Sequence, residues 1–352
     1  MLGCQGLSTV LFTLMLLQSA SNRTDGQAAT LNRIAACNSP WNFHSRCDMD
    51  DDEGLPQSRI PSGCNYWDLV KPTYIENWEQ SLHTLSIPSI DILLEGNAAR
   101  RLGSNIIEYG EAFCDDATMK HNERAASWNA QAAIARMLHQ PEPPDRVDFI
   151  KPTGDMCCDI GDIRAKVSEA VEKMPNGAFI RLGSRSPKDS WALQRSGGKI
   201  ISGQDPLQYL LDCSERIYED LMLAIKKDYL PHIWVRQWVE IPRWSEFRCF
   251  MKDRKLVGIS QYNYLKGEVF PELDPGMCEW AVREFFKMFR EATTLTDIVF
   301  DVFVKVRKAG PNSRDIEVKL LEINPFFELT DPCLFTWHIE FDGSFRYNKA
   351  KS

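Results

Sequence analysis

Asp301, Glu322 and Asn324 carry the oxygen atoms around which this chain could do chemistry. They lie in Ile298 to Pro325, IVFDVFVKVRKAGPNSRDIEVKLLEINP, which reads as two apolar strands with a lone carboxylate inside each. Strand one is Ile298 to Val306 and strand two Ile316 to Ile323, both rich in β-branched or aromatic residues. Between them, Lys308 to Arg314 holds the Gly, Pro and Asn that reverse a chain. If the hairpin turns about Pro311–Asn312, Asp301 falls opposite Glu322. Period-two alternation then puts Glu322, Asn324 and Asp301 on one face. Two carboxylates and a carboxamide oxygen converging in an exposed cleft repel unless a cation lies between them, and hard oxygens suit Mg²⁺ bridged to phosphates. The competing reading is an edge hairpin with two solvated acids.

A partner for such a cation stands upstream. Ala178 to Leu182 makes a short strand that runs into Gly183-Ser-Arg-Ser-Pro-Lys-Asp-Ser190. A loop that covers phosphates needs small residues, so that backbone N–H groups come close, and hydroxyls and cations besides. Arg181, Ser184, Arg185, Ser186 and Lys188 supply these. The spacing is not that of a glycine-rich Walker loop, and a solvated loop is the competing reading. Ser196-Gly-Gly-Lys199 reads as an ordinary turn.

The elements that must position these groups follow in order. Trp78 to Leu94 mixes a short helix with an extended Ser86 to Ile92. Helices are expected at Asn122 to Leu138, Ile160 to Lys173, Asp205 to Lys227 and Met277 to Ala292. His232 to Ile241 reads as a buried strand. Ser245 to Met251 and Lys255 to Tyr264 form a hairpin across Lys252-Asp-Arg254, with Glu246 and Arg248 on one face and Phe247 and Cys249 on the other. Helices mixed with antiparallel hairpins indicate an α+β fold rather than a doubly wound parallel sheet.

Composition bounds the function. The 352 residues are 43% hydrophobic and 26% charged, ordinary for a globular protein, and the length suggests two or three lobes. A net charge of −8 argues against direct nucleic-acid binding but permits a local basic pocket. The eleven cysteines include no C-x-x-C pair, so structural zinc is not expected, and His44 with Cys47 has no second pair to complete a site. Cys249 and Cys333 sit in apolar runs and should pack as buried thiols. Leu7 to Ala20 resembles the apolar core of a signal peptide without a basic lead, and Asn22-Arg23-Thr24 is a formal glycosylation sequon. No other apolar run is long enough for a membrane span, so membrane contact is expected only through this run, which leaves secretory or organellar targeting open; the location is otherwise read as cytoplasmic. Asn22 to Gly63, with its acidic run Asp48 to Glu53, reads as a poorly ordered lead-in.

EFRCF (Glu246 to Phe250), LVGISQ (Leu256 to Gln261), VFDVFV (Val299 to Val304) and EINPFFELTDPCLFTW (Glu322 to Trp337) resemble the cell division cycle protein 123 family over roughly Trp78 to Trp337. The resemblance implies an ATP-grasp-like α+β fold, two α+β lobes with a nucleotide cleft between them that holds ATP and Mg²⁺. Asp301, Glu322 and Asn324 match the family's metal ligands, with Glu322 where Asp is common. Arg181 stands where a phosphate-contacting Lys is common, an exchange that keeps the charge but changes the geometry. Ser184 and Ser186 match the phosphate loop. Arg236, Gln237, Trp238 and Val239 match the adenine-reading hinge, and Glu246 and Arg248 a motif at the phosphate end. The implied organisation is a leader and acidic segment (1–65), an N-terminal and central lobe (66–235), a C-terminal lobe with the metal hairpin (236–342) and a tail (343–352). The implied function is an assembly factor for eukaryotic translation initiation factor 2, acting through its gamma subunit. The alternative is an ATP-dependent ligase that activates a carboxylate as an acyl-phosphate; no catalytic residue is singled out for it, and Glu328 and Asp331 read as capping acids, with substrate-side acids as the competing reading.

Overall fold

A computed structural model describes residues 65–113, 141, 144, 159–212, 214–264, 275–310, 313–339 and 341–348. The signal-like run, the sequon, the acidic segment, His44 with Cys47 and the helix expected at Asn122 to Leu138 lie outside the described residues. The chain divides into a unit of Met1–Asp48 with Ile107–Cys157 and a unit of Met49–Ile106 with Cys158–Ser352. Of the first unit, the description covers little beyond the end of one helix.

In chain order the elements are α1 (Tyr66–Val70), α2 (Gln80–Leu85), β1 (Ser89–Leu93), α3 (Ala98–Phe113), α4 (Gly161–Glu172), β2 (Ala178–Leu182), α5 (Trp191–Ser196), α6 (Gln208–Leu211), α7 (Glu215–Lys226) and β3 (His232–Gln237). Then come β4 (Glu246–Lys252), β5 (Lys255–Gln261), α8 (Pro275–Ala292), β6 (Ile298–Gly310), β7 (Ser313–Pro325) and β8 (Phe345–Arg346). The strands form two sheets, β1-β3-β2 and β7-β6-β4-β5-β8. All pairings are antiparallel except β5 with β8. This is a mixed α/β fold dominated by antiparallel pairs, as the hairpin chemistry of the sequence requires.

The larger sheet is apolar on one face. Phe247, Cys249, Met251, Phe300, Val302, Leu320 and Ile323 are buried there against Phe285, Phe286 and Phe289 of α8 and against Trp78 and Leu82. The Phe289 and Phe300 rings stack at 4.2 Å between centroids. Each fully buried aromatic contributes about 1.5–3 kcal/mol of transfer free energy, so α8 fixes which face of the sheet remains for function. On the opposite face a second cluster of Phe250, Val299 and Phe335 packs with Phe326, Trp337 and Phe341 beside the charged residues described below. The smaller sheet is covered by α4, which buries Ile163, Val167, Ala170 and Val171.

Two expected elements differ. The helix read as Asp205 to Lys227 is broken into α6 and α7. Its leucine spacing is helical throughout, but Ser214 caps a new start by accepting from the Ile217 amide at 3.3 Å. Asp189, from the loop after β2, takes the Ser214 hydroxyl at 2.7 Å and the Arg216 amide at 3.0 Å. The strand read as His232 to Ile241 ends at Gln237. Its neighbours in the sheet stop there, and Pro242 follows a few residues on.

Candidate functional site

The β6–β7 register pairs Asp301 with Glu322, and the next pair is Val302 with Leu320, so Leu321 is an extra residue in a bulge. Asn324 stands opposite Val299. The β4–β6 register pairs Arg248 with Asp301 and Glu246 with Phe303. Alternation therefore brings Arg248, Asp301, Glu322 and Asn324 to one face, opposite the α8 core.

Both carboxylates are gripped by arginine. Arg248 donates from Nε to Asp301 Oδ1 and from Nη2 to Oδ2, each at 2.8 Å, and from Nη1 to the Asp331 carbonyl at 2.9 Å. Asp301 is 2% exposed. Arg181, on β2 of the other sheet, donates from Nη2 to Glu322 Oε1 at 2.6 Å. Its Nε bonds the Leu182 carbonyl and its Nη2 also reaches the Ser184 carbonyl. Asn324 Nδ2 approaches Asp301 Oδ2 at 3.5 Å. The expectation that these acids lie in an exposed cleft is thus corrected: strand pairing and the arginines bury Asp301, and the Glu322 side chain is only 16% exposed.

The field of the cluster moves its acids in opposite directions. Burial pushes Glu246 up to about 7, the Asp301 carboxylate adds to this, and Lys188 opposes it. For Glu322 burial also pushes upward, but Arg181 and Lys188 overcome it and hold the group down at about 2. Lys188 donates to the Tyr262 hydroxyl at 2.9 Å, and the Arg248 guanidinium lies over the same ring at 4.8 Å. Tyr262 and Lys188 are therefore members of the cluster that residue types alone did not single out. Lys188 was visible only as one cation of the loop, and nothing in the pattern marked Tyr262.

Arg236 reaches from β3 to the bulge, with Nη1 on the Leu321 carbonyl at 2.7 Å and Nη2 on Ser86 Oγ at 2.9 Å. It is 5% exposed, and its buried Nε has no acceptor. Burial and the neighbouring Arg181 both disfavour its charge, which Glu322 favours. The amides of Gln237 and Trp238 are spent on the Pro88 and Gly177 carbonyls, each at 2.8 Å. Trp238 Nε1 is buried without a partner, and Val239 is half-buried beyond the strand end. No hydrogen bond among the described residues joins Gln237, Trp238 or Val239 to the charged cluster.

Of the loop, Ser184 meets Arg181 through its carbonyl, and Ser186 is buried with its carbonyl accepting from the Lys188 amide. Arg185 turns away to Asp220 and Glu219 of α7, so its charge serves the helix rather than the loop mouth. Asp331 accepts the Cys333 amide at 2.8 Å, as a capping acid should, and Cys249 and Cys333 are buried.

Among the described residues no three His, Cys, Asp or Glu side chains stand together as a ready cation site. The donor set nevertheless fits a cation bridged to phosphates. Hard oxygens of Asp301, Glu322 and Asn324 adjoin Arg181, Arg248 and Lys188, and beside them lies a buried guanidinium whose Nε lacks an acceptor.

The family model described as D123 matches residues 106–347. Among curated proteins, the translation initiation factor eIF2 assembly protein of Candida albicans is 29% identical over 191 residues, 50% of this chain and 52% of that one. That of Xenopus laevis is 28% identical over 182 residues, 49% of this chain and 51% of its own length. Cell division cycle protein 123 of Phaeosphaeria nodorum is 25% identical over 195 residues, 52% and 49% of the two chains. The chain thus spans about half the length of the curated relatives it matches. The solved structure of Cdc123 from Schizosaccharomyces pombe superposes with a TM-score of 0.53 at 16% identity, covering 79% of this chain and 96% of that one. That likeness shows a shared fold.

Proposed function

The chain belongs to the D123 family, and on that premise we propose that it binds ATP with Mg²⁺ and acts as an assembly factor for eukaryotic translation initiation factor 2. One observation carries the nucleotide part. The Arg181–Glu322 contact joins the β1-β3-β2 sheet to the metal hairpin, so phosphate-type and cation-type groups from two sheets meet at one place. In this reading the two sheets belong to the lobes of an ATP-grasp-like cleft. Asp301, Glu322 and Asn324 would hold the cation. Arg181, Ser184, Ser186, Glu246 and Arg248 would face the phosphates, and Arg236 to Val239 would border the base. A bound divalent cation would supply neutralisation of phosphate charge. The chain's own part is to orient the triphosphate and to balance its charge with guanidinium groups.

The relatives' names support the assembly role, with the gamma subunit of the factor as the proposed partner and the cytoplasm as the proposed place. Among the described residues no helix is long and apolar enough to cross a membrane. Calorimetric titration of ATP with and without Mg²⁺, on the wild type and on Glu322→Gln, tests the site. Mg²⁺-dependent binding should appear in the wild type and weaken at least about tenfold in the variant, as loss of a charged ligand predicts. Equal affinity in the two proteins would remove Glu322 from the site. Co-purification with the gamma subunit tests the partner, whereas ADP formed only with an added acid and amine would mark a ligase instead.

A further inference from the structure

We propose that this site binds a divalent cation tightly only together with a polyphosphate, because the two arginines that would bind the phosphates hold the metal carboxylates closed until phosphate oxygens replace them. The proposal rests on the nucleotide reading and adds the order in which charges exchange partners. In the described structure both Asp301 oxygens are taken by Arg248, and the nearer Glu322 oxygen by Arg181. The pairs are nearly dry: side-chain exposure is 7% for Arg248 and 2% for Asp301, and 5% for Arg181 and 16% for Glu322. A free cation that took these carboxylates would strand two buried guanidinium groups, and an unpaired buried charge is strongly unfavourable.

The charge balance says what would relieve this. Arg236 lies beside Arg181 and Glu322 with no carboxylate of its own, bonded to carbonyls and a hydroxyl, and its buried Nε has no acceptor. Lys188 faces the cluster from the loop, and among the described residues its amine donates to the Tyr262 hydroxyl rather than to a carboxylate. The cluster therefore holds four cations (Arg181, Arg236, Arg248 and Lys188) against three acids (Asp301, Glu322 and Glu246) before any ligand arrives, and adding a metal alone worsens the excess. A triphosphate supplies the missing negative charge and offers forked acceptors of the kind guanidinium prefers. Arg181 and Arg248 can then pass from carboxylate to phosphate, leaving Asp301, Glu322 and Asn324 to the cation. By linkage, each ligand must raise the affinity for the other by the same factor, about 10–100-fold for coupling of ordinary size.

Equilibrium dialysis of the full chain decides the matter, with Mn²⁺ alone, sodium triphosphate alone, the two together, and Mn²⁺ with ATP. The expected result, at an Mn²⁺ concentration that half-saturates the ternary complex, is retention of Mn²⁺ about 10–100-fold weaker without triphosphate than with it. Triphosphate alone should be retained weakly, and more tightly by about 10–100-fold when Mn²⁺ is present. Folded Arg181→Gln, with Glu322 released, should retain Mn²⁺ alone. Wild-type protein that holds Mn²⁺ as tightly without triphosphate as with it overturns the proposal while leaving the nucleotide site intact. So does triphosphate binding indifferent to Mn²⁺, or a folded Arg181→Gln that gains no Mn²⁺. Absence of any excess with Mn²⁺ and ATP overturns the nucleotide reading itself. The wild-type arms suffice if the variant does not fold.

Discussion

Arg248 and Asp301 form a two-point ion pair directly across the β4–β6 ladder, both bonds at 2.8 Å and both side chains below a tenth exposed. Strand register places them opposite each other, so the pair costs little extra ordering. Removing one member leaves the other's charge buried, a loss of about 3–5 kcal/mol. Arg248→Ala should therefore lower the urea midpoint and melting temperature sharply. Arg248→Met with Asp301→Asn removes both charges and should recover much of the loss. If the double variant is no more stable than the single one, the pairing is not what Arg248 contributes.

Glu246 and Glu322 give stability two opposite pH dependences. Glu246 has a folded value raised from 4.5 to about 7. The unfolded chain gives up this proton first, so between pH 4.5 and about 7 the fold loses stability as pH rises, and above that range the loss is constant. Glu322 is lowered from 4.5 to about 2; its contribution is present above 4.5 and fades as pH falls toward 2. Glu246→Gln should remove the neutral-side decline, on the order of 3 kcal/mol. Urea midpoints of the two proteins from pH 5 to pH 8 should diverge with rising pH; parallel curves would show that Glu246 is not buried among acids.

Asp189 is worth a separate test because it joins the loop after β2 to the start of α7. It accepts from the Ser214 hydroxyl and from the Arg216 amide, a backbone donor that the helix start cannot satisfy itself. Asp189→Ala should cost about 1 kcal/mol, the ordinary worth of a cap. Hydrogen exchange should quicken first at the Arg216 and Ile217 amides. Unchanged protection there would mean that Ser214 alone starts the helix.

How far the sequence disclosed these arrangements follows from the range of each interaction. The Asp301–Glu322 pairing agrees with a register counted from the turn because two irregularities, between Lys308 and Gly310 and between Asp301 and Val302, offset each other; neither is signalled by the two-residue period of a strand. The Arg248–Asp301 pair spans 53 residues and the Arg181–Glu322 pair 141, and no periodicity reports either. Arg185 and Arg181 look alike in a loop-edge sequence; only the position of Asp220 on α7, 35 residues on, separates them. The leucine spacing of Asp205 to Lys227 hid the break at Ser214 because the residue that stabilises it, Asp189, lies in another segment. The mixture of helices with antiparallel hairpins and the faces of β4, β6 and β7 are short-range properties and could be read. Burial of the acids depends on which strands become neighbours, and it could not.

Gly183 shows the same limit from another side. A small residue is expected there for close approach of a phosphate, yet the structure gives a packing reason as well. A Cβ on Gly183 would stand 1.5 Å from Glu76 Oε2. That carboxylate cannot swing away freely, since Oε1 accepts from the Tyr229 hydroxyl at 3.0 Å and Oε2 from Trp234 Nε1 at 3.1 Å. The Gly183 amide and carbonyl are also tied, to the His232 carbonyl and the Ile75 amide. Gly183→Ala must therefore shift the loop or break the bond to the Trp234 indole, costing about 1–3 kcal/mol. Because Arg181 and Ser184 flank this point, the proposed ATP binding should weaken along with stability. Gly183→Ala in a Glu76→Ala background has room for the methyl group, so the two substitutions together should cost less than the sum of their separate effects, a coupling readable from a double-mutant cycle of urea midpoints. Strict additivity would show that Glu76 does not hold the loop.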